Sequence, residues 1–135
     1  MNSGPVKVMN LGTSPMIASE RVIYRVNGVN TSFSEIMALP EGQLDVTYWL
    51  PWYNNVDLDT QLRIANVSSS TASVRVFIGG VEMQGSPFNV AAGASVRKSY
   101  AGVNNGPVRI SSSQRIVAAE RVIYKANGVN TSFTE

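Results

Sequence analysis

The chain contains no cysteine and no histidine. The first absence excludes disulfides, thiolate chemistry and iron–sulfur sites. The second removes the commonest metal ligand and the side chain that titrates most readily near neutral pH. Charge is also scarce. Asp, Glu, Lys and Arg make up 15 % of the residues, against about 25 % in ordinary soluble domains, so Ser, Thr, Asn, Gln and Gly must supply much of the polar surface. The 11 basic and 9 acidic residues leave a net charge of +2, and Arg97-Lys98 is the only adjacent basic pair. A nucleic-acid footprint needs clustered basic residues, so no nucleic-acid partner is expected. No apolar run approaches the roughly 18 residues of a membrane span, and no secretory leader pattern is read at the start. Without His or Cys, catalysis would have to rest on a carboxylate pair or a Ser–Lys arrangement. Neither GxSxG nor a phosphate-cradling Gly loop occurs, so no enzyme activity and no catalytic residue is expected.

What is present is a repeat. Residues 20–35 read ERVIYRVNGVNTSFSE and residues 120–135 read ERVIYKANGVNTSFTE, identical at 13 of 16 positions. Upstream, Gly4-Pro5-Val6-Lys7-Val8 matches Gly106-Pro107-Val108-Arg109-Ile110 at an offset two residues larger. Self-similarity at a fixed spacing is the signature of a tandem array, and the chain reads as about one and one-third copies of a roughly 100-residue unit. The expected organisation is a partial copy of the repeated strand segment at 1–26, an inter-repeat linker at 27–43, the main repeat at 44–126, and the start of the next linker at 127–135.

Short apolar alternation dominates, as in Leu62/Ile64, Val74/Val76/Ile78, Val96/Lys98/Tyr100 and Val108/Ile110, with longer strand candidates at 16–26, 44–52 and 116–126. Turn residues punctuate it: Asn27-Gly28, Gly79-Gly80, Ala92-Gly93, Asn104-Asn105-Gly106 and Asn127-Gly128. Asn and Gly tolerate the positive φ that tight turns require. Seven or more short strands at this spacing predict an all-β, Ig-like antiparallel β-sandwich. Ser32-x-x-Glu35 followed by Ile36-Met37-Ala38-Leu39-Pro40 has the form of a capping box, which places one short helical turn near 35–39.

Residues 62–78 (LRIANVSSSTASVRVFI) and 88–96 (FNVAAGASV) resemble the Ig-like or fibronectin-like β-sandwich repeats of large bacterial cell-surface or secreted proteins. The YWLPWYN stretch at 48–54, with ERVIY and NGVNTSFSE, is similar to repeats strung together in giant extracellular proteins of filamentous bacteria. That resemblance implies an extracellular or cell-surface, non-catalytic stalk or adhesion module, and supplies no catalytic residues.

Three sets of residues are candidates for function. Both tryptophans lie in the cluster Tyr48, Trp49, Trp52, Tyr53 around Leu50-Pro51. On a regular strand Tyr48, Leu50 and Trp52 would share one face and Trp49 and Tyr53 the other. Rings on the outside could stack on a glycan or a surface protein; rings on the inside would serve the core. Asn55, Asp57 and Asp59, after Asn54, form an oxygen-rich loop of the kind that can hold calcium, although the Gly and distal Glu of an EF-hand loop are missing. The duplicated strands, Arg21, Val22, Ile23 and Tyr24 with Arg121, Val122, Ile123 and Tyr124, would compete for one slot in one sandwich. Strand addition between neighbouring repeats or identical subunits would then join them head to tail. Asn30, Asn66 and Asn130 match the glycosylation acceptor pattern.

Overall fold

The computed structural model describes residues 4–126 and 129–134, with residues 32, 125, 126 and 129–134 described as backbone. It is all-β and antiparallel. Among the described residues twelve strands run in the order β1 (Ser19–Val26), β2 (Val29–Met37), β3 (Asp45–Leu50), β4 (Tyr53–Asn54), β5 (Asp59–Asn66), β6 (Ala72–Ile78), β7 (Val81–Glu82), β8 (Phe88–Val90), β9 (Ser95–Lys98), β10 (Asn104–Asn105), β11 (Val108–Ala126) and β12 (Val129–Thr134).

The sandwich is organised by β11, which at 19 residues is long enough to serve both layers. Its first part, Val108–Ser112, lies between β3 and β6. β6 carries β7 and β8 along its other edge. The register against β3 breaks between Ser111 and Ile116. Beyond this break β11 pairs with β5 through Ile116–Ile123, and β5 pairs with β9. β12 takes the opposite edge of β11 from Val122 onward. The break falls in the run Ser111-Ser112-Ser113-Gln114-Arg115, where no apolar side chain demands a place in either layer. β4 and β10 form a two-residue ladder of their own.

Alternation decides which side chains meet between the layers. Along β6, Ala72, Val74, Val76 and Ile78 are buried while Ser73 and Arg75 face water. They close against Leu62, Ile64, Val90, Val108, Ile110 and Ile116, all at most 1 % exposed. Burying one such side chain stabilises the fold by about 1.5–3 kcal/mol. Asn66 also lies in this core. Its Nδ2 donates to the carbonyls of Ser70 (2.7 Å) and Val90 (3.0 Å), and its Oδ1 accepts from Ser68 N (3.0 Å) and Oγ (2.7 Å). Every hydrogen-bonding site of the amide is used, which is the condition for burying one without penalty.

One expectation changes. Residues 35–37 are strand, and among the described residues the one 3-10 turn falls at Glu41–Gln43. Once Asn27-Gly28 turns the chain back, pairing with β1 satisfies the backbone groups on one edge of Val29–Met37, with Glu35 opposite Arg21 and Ser32 opposite Tyr24. One isolated helical turn satisfies far fewer groups. The turn forms just after Pro40, whose extended ψ of 144° ends the preceding segment. Residues 27–43 contain the turn and second strand of a hairpin.

Candidate functional site: a duplicated hairpin and an aromatic sheet face

The first copy of the repeat folds as β1–β2. Asn27 (φ 51°) and Gly28 (φ 81°) both take the left-handed backbone of a two-residue hairpin turn. The register shifts once, between Tyr24 and Arg25. Arg21 faces Glu35 across the ladder, with Nε 3.9 Å from the carboxylate, and its guanidinium lies 4.3 Å from the centre of the Phe33 ring. Ser19 Oγ donates to Glu35 (3.0 Å), and Arg25 Nε donates to Asn30 Oδ1 (2.9 Å).

The second copy folds as the end of β11 with β12, and its pairing repeats the first position by position. Tyr124 faces Ser132 as Tyr24 faces Ser32, Ile123 faces Phe133 as Ile23 faces Phe33, and the register shifts at the same place, between Tyr124 and Lys125. The environments differ. Ile123 is 8 % exposed and Ile23 is 46 % exposed. Val108 and Ile110 are fully buried, whereas their counterparts Val6 and Val8 are 79 % and 56 % exposed in a segment without strand structure. β2 lies close to β12, so the two hairpins are neighbours. The eight residues of the strand-exchange set thus occupy equivalent places in two copies of one hairpin. Only Arg121, Val122 and Ile123 among them pair with β5.

Glu120 belongs to the docked copy. It stands opposite Leu62 of β5, and its Oε1 is buried with no hydrogen-bond partner among the described residues. Burial pushes its pKa up from the ordinary 4.5 to about 7. The matching Glu20 faces solvent.

The aromatic cluster divides. Tyr53 is fully buried, and its hydroxyl donates to Thr60 O (2.9 Å) and accepts from Tyr100 N (2.7 Å). Tyr48 is half-buried and donates to Ile116 O (2.6 Å), clasping the register break of β11. Trp49 and Trp52 are 62 % and 41 % exposed. The expected face-sharing fails because Pro51 separates β3 from β4 and resets the alternation, so that Tyr53 turns inward instead of sharing a face with Trp49. Sequence reasoning also missed two neighbours. Trp49, Arg109 and Phe77 are cross-strand partners on β3, β11 and β6. The Arg109 guanidinium lies 4.1 Å from the Phe77 ring centre and 5.9 Å from that of Trp49. Nothing local to Arg109 signals this, since the three residues are brought together only by strand register.

The oxygen-rich loop is engaged internally. Asn55 Nδ2 donates to Ser99 Oγ (2.7 Å), Asp57 accepts from Asn54 Nδ2 (3.3 Å), and Asp59 accepts from Gln61 Nε2 at 3.1 and 3.2 Å. Among the described residues no three His, Cys, Asp or Glu side chains gather where they could hold a metal ion. Of the glycosylation candidates, Asn66 has its amide nitrogen buried and doubly bonded, which closes it to modification in the folded state. Asn30 is on the surface, and the side chain of Asn130 lies outside the described residues. Compared with known proteins, the chain matches no family model, no curated protein and no solved structure.

Proposed function

We propose that this chain is a non-catalytic structural module of an extracellular or cell-surface tandem array, a spacer or scaffold whose partners are neighbouring repeats or identical subunits. The observation that carries this reading is the duplicated hairpin. Two nearly identical segments fold with one register and one bulge position, one docked on the sandwich and the other with its apolar face open. Nearest-neighbour stacking of such units is how repeat proteins build length. The test is X-ray scattering from chains lengthened by one and two further copies of residues 36–135, because Ile36 follows Glu35 as the next unit would follow Glu135. A spacer gains a constant increment in maximum dimension per unit. Units that collapse on one another with no such increment would sink the reading. A fibre-forming variant of the same function, by strand exchange, predicts oligomers that grow with concentration in light scattering and revert to monomer once residues 1–37 are removed.

A second reading has an observation of its own. Trp49 and Trp52 are exposed, and Trp49 borders the Arg109–Phe77 pair on the outer sheet face. Such a face suits stacking against a glycan ring or a protein partner. A glycan ligand should shift Trp fluorescence in the parent chain and lose that shift in Trp49→Ala; a flat response across a glycan panel removes the glycan form of the reading.

A further inference from the structure

We infer that the outer edge of β1 is a docking site for β5 of a second copy of the unit, in the register Ser19 to Arg63, Glu20 to Leu62, Arg21 to Gln61, Val22 to Thr60 and Ile23 to Asp59. The inference rests on the array reading and names the contact that would fasten one unit to the next.

In the docked copy, β12 takes one edge of the strand and β5 takes the other, pairing Ala119 with Arg63, Glu120 with Leu62, Arg121 with Gln61, Val122 with Thr60 and Ile123 with Asp59. In the first copy β2 occupies the edge that corresponds to β12, with the same partners and the same shift. β1 and β2 form a two-stranded sheet, so the edge corresponding to β5 carries no ladder among the described residues. Glu20, Arg21, Val22 and Ile23 are the same residue types as Glu120, Arg121, Val122 and Ile123. A strand edge presents unpaired N–H and C=O groups and readily templates another strand.

The side chains agree with this occupant. In the docked copy, Val122 lies opposite Thr60, which is fully buried, and Glu120 lies opposite Leu62, also fully buried. Val22 and Glu20 would take those places over a second core. Arg21 and Ile23 would stand where Arg121 and Ile123 stand, and Ile123 is nearly buried there. At present Arg21, Ile23 and Phe33 instead line an open groove of about 500 Å³ on the first hairpin. The occupant is another copy's β5 because this molecule's own β5 already holds β11 and β9 on its two edges.

The first hairpin is then a shared element: completed on one edge by the core of one unit and joined through its chain to the next. Two units that share a sheet resist bending at their junction more than two units joined by a free linker.

The absence of cysteine makes a clean test possible. Residues 38–105 are placed directly ahead of Gly4, so that Gly4 follows Asn105 as Gly106 does and residues 4–135 remain intact. Gln61→Cys is introduced in the added segment and Arg21→Cys in the hairpin. Cross-strand partners bring Cβ atoms within about 4.5–5.5 Å, close to disulfide range. The expected result is a disulfide between positions 21 and 61 formed at the same rate across dilution, with amides of residues 19–23 exchanging at least about tenfold more slowly than in the unextended chain, as stable edge pairing requires. A thiol at position 21 that reacts as fast as in the unextended chain overturns the inference, whether or not the added strands fold. A companion chain carries residues 116–135 in place of 16–35. If it folds and links where the native hairpin does not, the edge of β1 itself is excluded. An elongated chain with two folded units and an open position 21 would leave the array reading standing and remove only this contact.

Discussion

At the scale of single residues, equal chemistry at two addresses has unequal consequences. Glu120 holds a proton up to about pH 7 in the fold, against an ordinary 4.5. A carboxyl whose folded pKa is raised contributes stability that is fully present below the unfolded value and is lost as pH rises through the folded one. Stability should therefore fall between about pH 4.5 and pH 7. Glu120→Gln should flatten that fall and leave the variant more stable at pH 8 by about 1–2 kcal/mol, a figure discounted because the residue is partly exposed. Urea denaturation at pH 5 and pH 8 measures both. Glu20→Gln, at the exposed copy, should change stability by less than about 0.5 kcal/mol. Asn66→Ala should cost about 2–4 kcal/mol in the same assay, because it takes the buried Val90 carbonyl's donor from the core and removes the bonds to Ser68 and Ser70. The alternation in β6 and β11 made most core residues legible in the sequence. The half-burial of Glu120 was not, since it depends on Leu62, 58 positions away along the chain.

At the scale of elements, the hairpins were legible and their partners were not. Asn-Gly between alternating strands specifies a tight antiparallel return from local backbone preference alone; the first copy follows it at Asn27-Gly28, and the strands of both copies pair with one register. The capping pattern at Ser32-x-x-Glu35 lost to that return, because strand pairing satisfies a run of backbone groups where a lone helical turn satisfies few. The aromatic cluster shows the opposite limit. Pro51 interrupts β3 and β4, and only the assembled sheets show that Tyr53 enters the core while Trp49 meets Arg109. The matched segments at 4–8 and 106–110 offer a direct comparison. Val108→Ala should destabilise by about 1.5–3 kcal/mol, as expected for a fully buried valine between β3 and β6. Val6→Ala should stay within about 0.5 kcal/mol of the parent chain. Thermal melts followed by far-UV circular dichroism separate the two.

At the scale of the whole molecule, the two copies are not interchangeable. Deleting residues 1–37 should leave a cooperative melt with its midpoint moved by no more than about 5 °C, because the main core draws on β3 to β11. Deleting residues 116–135 should abolish cooperative unfolding, since it bares one edge of β5 and removes Ile116 from the core; calorimetry decides both. The sequence by itself determined that the chain is all-β, that it carries one motif twice, and that the first copy returns at Asn27-Gly28, because those features follow from side-chain alternation and backbone preference within a few residues. Only the tertiary structure decided that residues 108–110 are strand and the matching residues 6–8 are not. Residues 108–110 find β3 and β6 on either side, and residues 6–8 find no such pair. A strand's backbone is satisfied by its neighbours rather than by itself, so closely similar segments differ wherever their neighbours do.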